Sequence, residues 1–222
     1  MAMTPVRIAV RGFHSVRVPP EQATVHATLS GEGRSAEPVF QAVAAALAEV
    51  RGSLESRHHP GGPVTRYAVD QVRTGSHRPF HPDGEQLPPV HTASVSITAT
   101  FTDFDDLAAW VRWGAQIGGL GISHVDWALT AASRRKVERK TRRRAVRDAR
   151  RRAQDYADAL DLGPVEVSSI SDPGIGGPGQ RTVLMAAASA APAAGPAEFA
   201  LRPDEVEVAA DVEAVFTVRG GA

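Results

Sequence analysis

Apolar and polar residues alternate along several short stretches of the chain, and apolar residues recur every three or four positions along three longer ones. Strands and helices are therefore distinguishable by period. Val6, Ile8 and Val10 alternate with Arg7, Ala9 and Arg11, and Ala23, Val25, Ala27 and Leu29 alternate with Thr24, His26, Thr28 and Ser30. These predict two half-buried strands, parted by Pro19 and Pro20 because proline has no amide hydrogen for a ladder. Ser35 is placed to cap a helix whose buried stripe is Val39, Phe40, Val43, Leu47, Val50 and Leu54, with Glu37 and Pro38 in its first turn. After the Pro- and Gly-rich break at residues 58–63, residues 64–74 read as a strand and 92–100 as its partner, joined by a Pro-rich tip at 76–89. Asp103 opens a second helix carrying Leu107, Trp110, Val111 and Ile117, which stops at Gly118 and Gly119. A strand with Val125, Trp127, Leu129 and Ala131 on its inner face follows.

Residues 133–163 lack proline and glycine until Gly163. Val137, Thr141, Ala145, Ala149, Ala153, Tyr156 and Leu160 predict one buried helical stripe. A short strand at 165–170, a Gly/Pro-rich loop at 172–179 and an Ala/Pro-rich segment at 186–200 lead to a closing strand. In that strand Val206, Val208, Ala210, Val212, Ala214, Phe216 and Val218 alternate with charged residues. The middle of the chain has the order strand, helix, strand, strand, helix, strand of a split β-α-β unit. Alternation with a polar face argues for antiparallel pairing, since parallel sheets buried on both faces read as continuous apolar runs. The expected class is α+β, a largely antiparallel twisted sheet with helices on one face and one long Arg-rich helix. The chain of 222 residues reads as a single domain over 1–222, with 172–200 as a loop before the last strand.

Charge changes this picture. Between Arg134 and Arg152 stand twelve Arg or Lys against Glu138 and Asp148, leaving thirteen basic and twenty-three acidic residues elsewhere from totals of 25 and 25. A formal net charge of zero thus conceals a basic helix on an otherwise acidic chain. The cations crowd the helix N-terminal half, where the backbone dipole disfavours them, so they point to a partner rather than to helix stability. Arginine outnumbers lysine twenty-three to two, and its planar fork recognises carboxylate and phosphate alike. On this reading Arg139, Arg143, Arg147 and Arg150 offer a cationic face, and Glu205, Glu207, Asp211 and Glu213 offer an anionic one at period two on the last strand. The expectation is a homo-oligomer built head to tail through these charges. Nucleic-acid binding by the basic helix is the rival reading, set against it by the lack of an overall basic balance and of aromatics interleaved with the arginines.

Candidate chemistry is sparse, and the chain reads as a non-enzyme with no cofactor and no metal. Gly31, Gly33, Ser35 and Ala36 loosely resemble a dinucleotide turn, but the strand before them is polar on one face; a nucleotide-dependent enzyme is the remaining alternative. Gly118 to Gly121 follow a helix C-terminus, where phosphate is repelled. His58, His59, His77, His81 and His91 cluster in loops, and His77 with His81 has a chelating spacing without a matching carboxylate or thiol. No Gly-x-Ser-x-Gly elbow occurs, and there is no cysteine. Without an apolar leader near Met1 or an apolar run of about 18 residues, no membrane span is expected and a cytoplasmic location is.

Several motifs taken together resemble the SIMPL domain family, also called YggE-like. Val6 to Gly12 followed by Val18-Pro19-Pro20-Glu21-Gln22-Ala23 is similar to the family's opening strand, glycine and Pro-Asp-x-Ala turn. Ala145, Asp148, Ala149, Ala153, Tyr156, Ala157, Leu160, Leu162 and Gly163 resemble its Ala-rich helix ending in Leu-Gly. Met185, then Leu201 to Val208 and residues 212–218, resemble its closing strand. The family is long catalogued as a domain of unknown function and includes a periplasmic immunogenic protein. The resemblance implies an α+β fold, no known enzymatic activity, a link to stress response or signalling, and ring-like assembly.

Overall fold

The computed structural model describes residues 5–80, 86–173 and 202–218. In order the chain forms β1 (Val6–Val18), β2 (Gln22–Gly33), α1 (Ala36–Glu55), β3 (Val64–Val69), β4 (Arg73–His77) and β5 (Val90–Phe101). It continues with α2 (Phe104–Gly114), β6 (Leu120–Ala128), α3 (Ala131–Ala159), β7 (Glu166–Ser171) and β8 (Val206–Val218). The fold is α+β, and every strand pair is antiparallel. The strands divide between two sheets in two compact units. The Ala/Pro-rich segment expected at 186–200 and His81 lie outside the described residues.

One unit holds α1, α2 and a sheet of order β3-β5-β2-β6, with β4 also paired to β5. This is the split β-α-β arrangement that the element order predicts: β5 lies between β2 and β3 and runs antiparallel to both. Ala23, Val25, Ala27 and Leu29 of β2 and Ala93, Val95, Ile97, Ala99 and Phe101 of β5 enter one core with Val39, Val43, Val50, Leu54, Leu107, Trp110 and Val111. The strand expected over 64–74 is two strands, β3 and β4. Ser35 occupies the N-cap of α1, but its hydroxyl makes no capping bond, and Phe40 of the expected stripe is exposed. Asp103 caps α2 as expected, accepting from the amides of Asp105 and Asp106. That helix ends at Gly114, before the glycines expected to stop it. Gly119 instead shapes the turn into β6, with φ of 81° and a Cβ position only 2.1 Å from the Ser30 carbonyl oxygen.

The other unit places α3 on a sheet of order β1-β8-β7. β1 continues well past Arg11, because it pairs with β8 from Val6↔Val218 to Val18↔Val206. The buried stripe of α3 is Thr141, Ala145, Ala149, Ala153 and Ala157, a strict four-residue step. Tyr156 and Leu160, expected in that stripe, are 60 % and 62 % exposed. Earlier along the helix the contact is close: a Cβ on Gly12 of β1 would stand 2.1 Å from the Ala145 carbonyl oxygen and 2.7 Å from the Ala149 nitrogen. There the helix backbone touches the strand, so the stripe admits only small side chains at Ala145 and Ala149. α3 closes at Asp161, which takes a left-handed φ of 52°, while the Leu162 amide reaches back to the Ala157 carbonyl at 2.9 Å.

Candidate functional site: the cationic face of the long helix

The alanine stripe fixes which way the arginines point. Arg139, Arg143 and Arg147 stand on the side of α3 turned away from the alanine stripe, Arg150 stands on its flank next to Ala149, and all four are exposed. Of the other eight cations of the block, five have partners within the chain, and Arg135, Lys136 and Lys140 have none among the described residues. Arg134 and Arg142 pair with Glu138 at 3.9 and 3.5 Å, and Arg144 meets the His14 ring at 3.2 Å. Arg151 and Arg152 both hold Asp148. Among the described residues, Arg139, Arg143, Arg147 and Arg150 have no hydrogen-bond or ion-pair partner. The first turn of α3 contains no acid and the last turn no base, so the charge pattern opposes the dipole as expected.

Asp148 locks the helix to the sheet. Its Oδ2 accepts from the Phe13 amide of edge strand β1 at 3.2 Å and from Arg152 at 2.9 Å, and its other oxygen accepts from Arg151. Burial disfavours the charge on this carboxylate, but the Phe13 amide and the cations of Arg152 and Arg151 together outweigh it. The Asp148 pKa therefore lies below the usual carboxylate value.

The acidic row is less free than its spacing implies. Glu207, Asp211 and Glu213 do lie on the face of β8 turned away from α3, so the charged sides of helix and strand point apart. Glu205 precedes the strand. Glu213 is bound by Arg11 at 2.9 Å, and Glu207 lies 3.8 Å from Arg17; both arginines are the direct cross-strand partners in β1. Hydrogen bonding to Glu213 raises the Arg11 pKa against desolvation, and the charges of Glu213 and Asp211 raise it further. Only Glu205 and Asp211 of the four carry no ion pair among the described residues. The cross-strand arginines were visible in the sequence, but pairing them with these acids needed the register of the chain's first strand on its last.

The other expected positions have structural roles. Gly31 and Gly33 face Val43 and Val39 of α1, where a Cβ would come within 3.0 and 2.9 Å, so these glycines permit close helix-strand packing. His58 is tied to the Val64 carbonyl at 3.0 Å and meets Tyr67 edge-on. A constellation that the sequence reading passed over lies instead on the β2–β6 pair, where His26, His124 and Asp126 bring three potential ligand atoms within 4.8 Å of one another. The signal available in sequence was His124-x-Asp126, two donors on one face of a strand. No helix among the described residues is long and apolar enough to cross a membrane.

Fold and surface together define an α+β protein of two antiparallel sheet units, one backed by α1 and α2 and the other by α3, whose cationic ridge has no partner among the described residues. Residues 8–216 match the SIMPL family, described as a protein of unknown function (DUF541), and the chain belongs to that family. The match spans both units. No curated protein matches the sequence.

Proposed function

We propose that this SIMPL protein is a non-enzymatic assembly protein whose α3 ridge docks on an acidic surface of a second copy of the chain. The observation that carries this reading is the row of exposed guanidiniums at Arg139, Arg143, Arg147 and Arg150, which have no partner among the described residues. Outside the α3 block the chain has an excess of ten acidic residues, so each copy offers both signs. A ridge on one subunit and acids on the next form a heterologous contact, which closes into a ring where the rotation permits. Single exposed pairs contribute about 0–1 kcal/mol, so the contact needs several forks acting together. Such an assembly suits a role in stress response or signalling in the cytoplasm.

Size-exclusion chromatography with light scattering tests the reading. The expected result is an oligomer at low salt that dissociates as ionic strength approaches about 1 M, where the Debye length is roughly 3 Å. A monomer at low salt overturns it. If that monomer also shifts duplex DNA or RNA in a gel, with affinity falling linearly in log salt, the ridge reads phosphate instead.

A further inference from the structure

We propose that His26, His124 and Asp126 form a binding site for a divalent first-row transition ion of the zinc class. The site rests on strand pairing. His26 of β2 is the direct cross-strand partner of His124 in β6, and Asp126, two residues on from His124, projects from the same face. That face is the one turned away from the helices, because Val25 and Ala27 on either side of His26 enter the core. The ladder is irregular next to the site: after the His26↔His124 pair, Ala27 pairs with Ile122 and Ser123 is left over as a bulge. Bulges of this kind re-aim side chains and concentrate beside functional sites.

The distances suit one ion. Asp126 Oδ2 lies 2.9 Å from His26 Nε2 and 3.6 Å from His124 Nε2. Zinc–nitrogen and zinc–oxygen bonds of about 2.0–2.2 Å in a tetrahedron place neighbouring ligand atoms roughly 3.4 Å apart, so the two separations bracket the requirement. Two imidazoles and one carboxylate suit zinc and its neighbours, whereas magnesium and calcium prefer all-oxygen sets. The two rings stack at 4.2 Å with 9° between their planes. Aiming both Nε2 lone pairs at one ion requires the rings to splay, and side-chain exposures of 33 % for His26 and 58 % for His124 leave room for it. Three protein ligands leave a fourth tetrahedral position for water or an anion, as in sites that act on a ligand rather than merely brace a fold. The site lies in the split β-α-β unit and does not depend on the ridge of α3.

Isothermal titration of the full chain with Zn²⁺, and Co²⁺ titration followed by visible absorption, test the proposal. One ion per chain is expected, with Co²⁺ giving the intense bands of a tetrahedral site. Loss of an outer-shell partner already weakens metal sites about 10- to 100-fold, so removing a direct ligand through His26→Ala, His124→Ala or Asp126→Asn should weaken binding at least as much. All three side chains are partly or largely exposed, and unchanged far-UV circular dichroism confirms that each variant folds. The double variant His58→Ala/His59→Ala should bind as the parent does. Absence of Zn²⁺ binding to the parent, or binding retained by His26→Ala/His124→Ala, overturns the proposal and leaves a stacked histidine pair hydrogen-bonded to Asp126.

Discussion

Helix α3 meets its sheet through alanines, whereas α1 and α2 meet theirs through valine, leucine and tryptophan. Around Phe101, Leu29, Leu54, Ile97, Leu107 and Trp110 the second contact is made by large buried side chains. At Gly12 the first is made by the backbones themselves. A large-residue core gains stability from the apolar area it buries, while an alanine interface buries little per residue and depends on close approach and on a polar lock. The small stripe also leaves the remainder of α3 unconstrained by packing, which is how one helix carries twelve cations and still folds onto a sheet. The two contacts should therefore fail under different substitutions.

The largest loss is expected in the large-residue core. Trp110 is fully buried and packs on Phe101 and Trp113 with ring centroids at 5.7 and 6.2 Å, so Trp110→Ala should cost about 3–5 kcal/mol in chemical denaturation. Its indole Nε1 is buried without a hydrogen-bond partner among the described residues, an unfavourable state that Trp110→Phe removes while keeping most of the ring. That variant should cost about 1 kcal/mol. A cost for Phe as large as for Ala would mean that the indole is held by a bond rather than by packing.

Gly12→Ala should come next and should act on α3 alone. The added methyl meets helix backbone, which does not turn aside as a flexible side chain does, and overpacking of this kind costs about 1–3 kcal/mol or more. Hydrogen exchange of the α3 amides should accelerate, while emission from the three tryptophans, all in the split β-α-β unit, should keep its native maximum. Unchanged exchange would show that the helix is held elsewhere.

Tyr156 and Leu160 show why sequence period alone did not reveal this contact. Apolar residues at a three- or four-residue spacing satisfy Tyr156 and Ala157 equally, and the larger residue promises more buried area. The close approach that favours alanine at 145 and 149 comes from a glycine more than 130 residues away, and is non-local. Alternation along β2, β5 and β8 was legible because each strand has one face in a core, and the split β-α-β order followed from element sequence. The division into two sheets was not legible, since β1 and β8 join the two ends of the chain. His26 and His124 read as polar-face residues until the β2–β6 register put them opposite one another.

Asp148 supplies the lock that the alanines lack. Only 13 % of its side chain is exposed, and hydrogen bonds to a charged group contribute about 1.5–3 kcal/mol, so Asp148→Asn should cost about 2 kcal/mol at neutral pH. Because its folded pKa is lowered, its contribution is fully present above the unfolded carboxylate value of about 3.9 and is lost as pH falls through the lower folded value. The parent should therefore lose stability below about pH 4 more steeply than Asp148→Asn. Parallel acid limbs in urea titrations of the two proteins would refute the lock.

The smallest effect on stability, and one of opposite sign, is expected at the ridge. Arg139, Arg143 and Arg147 are spaced four apart on the outer face of α3, and like charges at that spacing repel by about 0.2–0.5 kcal/mol per pair. The four side chains have no partner among the described residues, so Arg139→Gln, Arg143→Gln, Arg147→Gln and Arg150→Gln together break no intramolecular bond. The melting temperature of the isolated subunit, measured at high salt, should stay level, and at low salt it should rise slightly as the repulsion is relieved. Assembly should respond the other way, because those forks make the proposed contact: the quadruple variant should run as the smaller species at a salt concentration where the parent runs as the larger. A fall in monomer stability would place the arginines in the fold. An unchanged oligomer would place the contact on another surface.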